Sequence, residues 1–491
     1  MPSADKKTRG FVPLSAEAAL RALALPKDTA SCMPLQGITY PERSYPMFDL
    51  LIKNGLTVIP AGPRLLSIAV RNGKIAGLLD TESEVPAKEV LDFTGKIIFP
   101  GLIDSHAHVT YCADFSSGSH TAASGGVTTL VEMPQSGHLP SVFDQDTLSG
   151  RIASIQECSV VDCALYGGVR AGQLEHMEEL VKGGVAAFKV FLSDAGDYGS
   201  FDDASLLRLM QASRRYNCLV AAHAESQPIC AMETQDMIAA QKGAEGNSKS
   251  RPVISEVLAA TRLCTLALHE HARVSICHIS SRQVTRIIQE FRRKGLQVYA
   301  ETCPHYLLLS HDDVARHGAW AKCAPPLRSQ NTVDGLWESV ASGEIDMVGS
   351  DHATYSDAQK SAGSFWSAPG GFPGLDLILP GLYSEGVCQR GLPLSLLAQI
   401  TASNPARIFG LDYCKGSIEI GKDADFAVLD PSIRWEFHAS GTFYDTKSTH
   451  YPYEGKTFQG KVTNTFVRGR QIWQDGKILA GRHGKYIPAR H

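Results

Sequence analysis

Two textures of hydrophobic patterning divide the chain. From Phe48 to about residue 100, apolar and polar residues alternate in short runs cut by turn signals at Lys53-Asn54-Gly55, Arg71-Asn72-Gly73 and Thr94-Gly95-Lys96. Period-two alternation buries one face of a strand, and Asn-Gly pairs suit tight turns, so this stretch predicts antiparallel strands and hairpins. After Gly101 short apolar runs alternate with helix-length segments. The runs cover residues 101–109, 128–134, 162–169, 186–192, 218–225, 274–280, 298–307 and 345–353. Among the helices between them, residues 281–295 carry cations in the last turn and a closing Gly295. Eight such units, roughly 25–55 residues apart, predict a (β/α)8 TIM barrel. Strand-like runs return at 423–430 and 462–479, the latter with a turn at Asp475-Gly476.

The expected organisation is therefore a leader (1–46), the first part of a β domain (47–100), the barrel (101–410) and the second part of the β domain (411–491). Segments from both ends should pair into one small β-sandwich beside the barrel. Within the leader, residues 16–25 suit a short amphipathic helix, but a poorly ordered extension is the favoured reading.

Composition narrows the function. The 491 residues carry a formal net charge of −4 with no long run of one sign, which argues against nucleic acid or an anionic membrane as partner. No apolar segment reaches the roughly 18–20 residues needed to span a bilayer, and the N-terminus lacks the apolar core of a secretion signal. The twelve cysteines contain no CxxC pair, and many lie inside apolar runs, such as Cys163 and Cys277. They read as buried reduced thiols of a cytoplasmic protein.

The chemistry sits where the predicted strands end. His106 and His108 are two apart in a strand and so project to one side, at the C-terminal mouth where barrel enzymes place their sites. Alone, an HxH pair is a weak signal. However, His223, His278 and Asp351 also close predicted strands, with His352 next in sequence. Polar residues ending four apolar runs at one mouth point to neutral imidazole and carboxylate ligands for divalent metal. Lys189 lies inside the fourth run, between Phe188 and Val190. Burying an ammonium is costly. A neutral amine there can take up carbon dioxide and become a carbamate, an oxygen ligand able to bridge two cations. The inventory then divides into His106, His108 and Asp351 for one metal, His223 and His278 for a second, and carboxylated Lys189 with a hydroxide between them. His305 and Glu301 read as structural or supporting groups, and His352 as a supporting group at most.

Several stretches resemble, in order, the motifs of the cyclic amidohydrolases in the amidohydrolase superfamily: PGLIDSHAH (100–108), GGVTTLVEMP (125–134), FKVF (188–191), AAHAES (221–226), CHISS (277–281), ETCPHYL (301–307), KCAPPLR (322–328), GSDHA (349–353) and GKDADF (421–426). Within that group the allantoinase branch is most similar, through residues 250–263, 321–328, 370–380 and 451–462. The resemblance implies a binuclear barrel, often tetrameric, with two divalent ions (zinc expected) and carboxylated Lys189. It implies ring opening of allantoin to allantoate, with Asp351 as general acid and base. It places substrate contacts at backbone groups near Cys323 and Gly370.

Three departures bear on the ring accepted. The loop after the two histidines reads Val109-Thr110-Tyr111 and lacks the arginine and tryptophan usual in allantoinases. Thr110 stands where dihydroorotases carry an arginine. Asp194 stands where hydantoinases place a tyrosine. Thr110 and Asp194 are therefore candidate substrate contacts, and a hydantoinase, dihydropyrimidinase-like or cyclic imide hydrolase is the alternative. A non-catalytic scaffold relative is disfavoured because every ligand position is filled.

Overall fold

The computed structural model describes residues 47–491 except 112, 113, 136, 194, 195 and 200, and the side chain of 197. The leader and Asp194 lie outside the described residues. The first strands are β1 (Phe48–Ile59), β2 (Gly62–Arg71), β3 (Lys74–Leu79), β4 (Ala87–Asp92) and β5 (Ile97–Pro100). The barrel strands follow as β6 (Leu102–Ala107), β7 (Val127–Glu132), β8 (Asp162–Gly168), β9 (Ala187–Phe191), β10 (Leu219–His223), β11 (Arg273–Ile276), β12 (Val298–Thr302) and β13 (Met347–Val348). The last are β14 (Phe426–Glu436), β15 (Thr457–Val467), β16 (Arg470–Gln474) and β17 (Lys477–Ile478).

Strands from the two ends of the chain join as expected. They form one continuous nine-stranded mixed sheet, ordered β17-β16-β15-β14-β5-β1-β2-β3, with β4 also on β1. Its apolar cluster includes Ile52, Ile68, Ile98, Phe426 and Phe466. Two turn assignments need correction. Asn54 does not reverse the chain. β1 runs through it with φ of 63° and a register shift between Ile52 and Gly55. Gly55 leaves room for the Ile98 side chain, which a β-carbon there would strike, so the signal marks a bulge and not a hairpin. Thr94-Gly95 offsets the chain without reversing it, and β4 and β5 both lie parallel to β1, along its successive halves. Asn72-Gly73 and Asp475-Gly476 do reverse it, joining β2 to β3 and β16 to β17 with positive φ at both positions of each pair.

β6 to β13 pair in sequence order, each parallel to the next. Covered on both faces, they read as near-continuous apolar runs. A parallel bridge between Ala107 and His352 closes the circle, with His108 N donating to His352 O (3.0 Å) and Asp351 N to His106 O (2.8 Å). The closure demands a close approach. A β-carbon on Gly349 would lie 2.7 Å from both His106 Cβ and Ser105 Oγ. The run at 298–307 ends as strand at Thr302. Pro304 opens a short helix (Pro304–Leu308), where its missing N–H is harmless, so His305 stands on that helix. At the opposite end of the barrel the C-terminal segment pairs with β8, Cys163 N donating to Lys485 O (2.9 Å) and Ile487 N to Cys163 O (2.8 Å). Among the described residues no helix is long and apolar enough to cross a membrane.

Candidate metal centre

The expected ligands meet at one mouth of the barrel. His106 and His108 project together from the end of β6, ring centroids 5.2 Å apart. Their Nε2 atoms lie 3.4 and 3.2 Å from the same oxygen, Asp351 Oδ1. One donor atom from each of the three falls within 4.8 Å of the others. Asp351 holds a left-handed backbone, φ 49°, just after β13, and His278 does likewise at φ 39° after β11. Such conformations cost about 1–2 kcal/mol each for a residue with a β-carbon. Both side chains are turned inward at that cost.

The second set is adjacent. His223 Nδ1 and His278 Nε2 face each other at 3.2 Å, and the His278 ring is 5.2 Å from that of His106. Lys189, in the middle of β9, is 1% exposed and its Nζ has no hydrogen-bond partner; it lies 5.1 Å from the Phe191 ring centroid. His278 Nδ1 is also buried without a partner. Among the described residues Lys189 forms no ion pair, and its burial excludes snorkelling. Unsatisfied buried polar atoms are rare and call for an explanation. Two of them beside five converging ligand side chains fit a cation pair.

The electrostatics suit metal. Burial, then Lys189, lowers the His106 imidazole, and burial, then His223 and Lys189, lowers His278 far more, so both keep free lone pairs. Burial alone would raise Asp351, but His106 and the hydrogen bond with His108 hold it well below the usual carboxylate range.

Two of the four imidazoles, His106 and His223, are aimed by a buried acid. Glu301 accepts from Ser105 Oγ (2.8 Å), from His106 Nδ1 (2.8 Å) and from His278 N (3.2 Å). Glu225 lies 2.7 Å from His223 Nε2 and receives Arg251 through Nε and Nη2. Arg251, then His223, hold the Glu225 carboxyl far below its ordinary value against the upward push of burial. Such partners fix ring tautomer and orientation. The Glu225 signal was present in sequence: it follows His223 by two, as His108 follows His106.

The remaining candidates fall in different places. Thr110 is 1% exposed. Its hydroxyl donates to Glu132 (2.8 Å) and accepts from Arg151 (2.5 Å), so it braces the loop after His108 and turns away from the chamber. Arg151, on the helix Gln145–Cys158, is fully buried and also holds the carbonyls of Gln135 and Pro140. Cys323 and Gly370 are adjacent: a β-carbon on Gly370 would lie 3.8 Å from Cys323 Cα. His352 Nδ1 accepts from Gly374 N and Leu375 N, tying that loop to the peptide that carries Asp351. Burial pushes His305 down to about 4, and its ring lies 5.3 Å from that of Phe372. At the far end of the barrel the acids Asp162, Asp423 and Asp425 already surround Lys415 Nζ, at 2.5–3.0 Å.

A parallel barrel with imidazoles and a carboxylate gathered at the strand C-termini is the architecture of a metal-dependent hydrolase. The amidohydrolase family model matches residues 97–472, and the chain belongs to that family. It is similar to the allantoinase of Rubrobacter xylanophilus, 36% identical over 448 residues, covering 90% of this chain and 97% of the relative. It is 35% identical to the allantoinase of Deinococcus radiodurans over 450 residues, covering 90% and 99%. Among solved structures it resembles the L-hydantoinase (dihydropyrimidinase) of Arthrobacter aurescens, with a TM-score of 0.87 at 30% identity, covering 90% of this chain and 100% of that one. The dihydropyrimidinase of Brevibacillus agri gives a TM-score of 0.82 at 26% identity, covering 90% and 99%.

Proposed function

We propose that this chain hydrolyses a cyclic amide and that allantoin is its substrate, opened to allantoate. The observation that carries the reading is the convergence of His106, His108 and Asp351 beside the buried, unpartnered Lys189 and the His223–His278 pair. The similarity to two allantoinases over nine-tenths of the chain supports the choice of ring.

His106, His108 and Asp351 would hold one divalent ion and His223 and His278 a second. Lys189 would join them after its amine adds to carbon dioxide with loss of a proton. We assign zinc to both positions. When bound, the ions supply an activated water and polarise the ring carbonyl. Asp351, kept ionised by its histidine neighbours, accepts the proton that water gives up and returns it to the ring nitrogen as the C–N bond breaks. Cys323 and Gly370 present main-chain groups to the ring from the facing wall.

The test is turnover of allantoin, hydantoin, dihydrouracil, dihydroorotate and phthalimide by zinc-loaded protein. Allantoin should open fastest. An intact allantoin pool beside rapid opening of another ring transfers the assignment to that ring. The solved hydantoinases make hydantoin the first alternative.

A further inference from the structure

The Gly370 wall is held by two lysines, Lys322 at the head of the KCAPPLR stretch and Lys360. Lys322 Nζ donates to the carbonyls of Phe365 (3.0 Å), Trp366 (2.9 Å) and Ala368 (2.7 Å). Lys360 is buried, and its Nζ donates to the carbonyls of Ala319 (3.1 Å), Pro369 (2.9 Å) and Gly371 (2.6 Å). Between them they gather five carbonyls of one seven-residue loop, 365–371. Gly371 N returns a bond to Lys322 O (2.8 Å), with φ of 115° that a side chain would resist. The loop packs against the segment that follows Asp351, since a β-carbon on Gly371 would touch Ala353 Cβ at 3.1 Å and Tyr355 at 3.4 Å.

We propose that Lys322 and Lys360 are positioning residues that clamp the 365–371 loop and so set the substrate wall at Gly370. The proposal rests on the reading of this mouth as a cyclic-amide site. An ammonium has three N–H donors and no lone pair, which matches three carbonyls converging on one point. A neutral amine has only two donors, and its lone pair would face carbonyl oxygen.

That chemistry makes one clamp sensitive to pH. Burial, then the charge of Arg251, pushes Lys322 down to about 8. Arg251 is the charged group that faces it. The 365–368 loop presents carbonyls and the Phe365 ring, whose centroid lies 5.2 Å from Nζ. Below pH 8 the clamp is charged and closed. As pH rises through 8 a donor is lost and the loop loosens.

The test combines kinetics on allantoin and hydantoin with hydrogen exchange of the zinc-loaded protein between pH 7 and pH 9. In the wild type, KM should rise at least fivefold across that range while peptides covering 365–371 lose protection, after correction for intrinsic exchange. Lys322→Met should show a KM at least tenfold higher at pH 7, with kcat within threefold, unchanged metal content and no further rise with pH. Lys322→Arg keeps its charge and should restore much of the affinity with a flat profile. Lys360→Met should raise KM in the same way; if it does not fold, the part-exposed Lys322 carries the test. A wild-type KM in Lys322→Met, or a loss of kcat and metal with KM unmoved, would overturn the clamp. Protection of 365–371 that stays constant through pH 9 would do the same. If the wild type opens neither ring, the proposed function fails, and exchange still decides the clamp.

Discussion

Replacing Glu225 by glutamine should separate the two metal positions. Glu225 is fully buried, and its Oε2 lies 2.7 Å from His223 Nε2 and 2.5 Å from Arg251 Nη2. While the carboxylate accepts at Nε2, the proton is fixed there and His223 turns its Nδ1 lone pair toward His278, 3.2 Å away. A glutamine keeps the shape but loses the charge, and a charge-assisted hydrogen bond is roughly twice as strong as a neutral one. Outer partners of this kind alter metal affinity by about 10–100-fold, or about 1.4–2.7 kcal/mol. The whole loss should fall on the ion held by His223 and His278, because Glu301, not Glu225, aims His106.

The assay is a competition between zinc-loaded protein and chelators of graded strength, with ions counted per subunit. The wild type should surrender both ions over one narrow range. Glu225→Gln should release one ion at about 10–100-fold weaker chelation and keep the other. Arg251 also loses a charged partner, so the variant should be less stable, though by less than the about 3–5 kcal/mol of a fully broken buried pair, since the amide oxygen still accepts. Two ions leaving together, whether early or at wild-type strength, would refute the link from Glu225 through His223 to one metal position.

Lys189→Met should abolish ring opening and lower the zinc content, while the metal-free chain gains thermal stability because an apolar side chain replaces a buried polar group with no hydrogen-bond partner; a less stable metal-free variant counts against that view of Lys189. Partial recovery of turnover by a short-chain carboxylic acid would support the bridging role. Gly349→Ala should weaken zinc binding by displacing His106 and destabilise the fold by about 1–3 kcal/mol, the usual range for overpacking, as read by urea unfolding; an unaltered midpoint and zinc content would show that the closure tolerates a β-carbon. Burial pushes Asp104 up to about 7, so its folded-state advantage is complete below the unfolded carboxylate value near 4 and vanishes as pH rises through 7. Relative to Asp104→Asn, the metal-free wild type should therefore lose on the order of 4 kcal/mol between pH 4 and pH 7 and nothing more above it, and urea midpoints that run parallel across that range would refute the shift.

The sequence made strand-borne chemistry legible. His106, His108, His223, His278 and Asp351 end apolar runs, and the two-residue period predicts which side they share. The same period applied at His223 also reaches Glu225. Residues that reach the site from helices and loops were not legible. Arg151 and Arg251 extend long side chains from elsewhere in the chain, and nothing local announces their acidic partners. Lys360 lies in a polar stretch, Ser356 to Gly363, that reads as solvent-facing until the following loop folds over it. Position after the metal ligands does not by itself give exposure: the Thr110 side chain is buried and its hydroxyl is engaged. Glu132 and Arg151 draw its hydroxyl the other way. Asn54-Gly55 carried turn chemistry without a turn, because a bulge and a hairpin need the same left-handed backbone.

Two lysines show why burial alone does not assign function. Lys415 and Lys189 each leave about 1% of the side chain exposed. Lys415 Nζ lies 2.5 Å from Asp162, 2.7 Å from Asp425 and 3.0 Å from Asp423. Burial works against its charge, but Asp425, Asp162 and Asp423 raise its pKa above the ordinary lysine value, so it stays an ammonium that ties β8 to the segment leading into β14. Removing it would leave Asp425 without its cation, while Asp162 keeps Arg468 and Asp423 keeps Lys74, and the expected result is loss of stability, not loss of chemistry. Lys189 has the same reach and burial, but among the described residues it forms no ion pair. Cys277 and the imidazoles of His106 and His278 lie near it, and on the proposed reading those imidazoles need cations and not another positive charge. On the proposed reading, an amine in that position suits the site once it becomes an acceptor. The lack of an ion pair among the described residues, more than the depth of burial, is what points to β9 as part of the proposed centre.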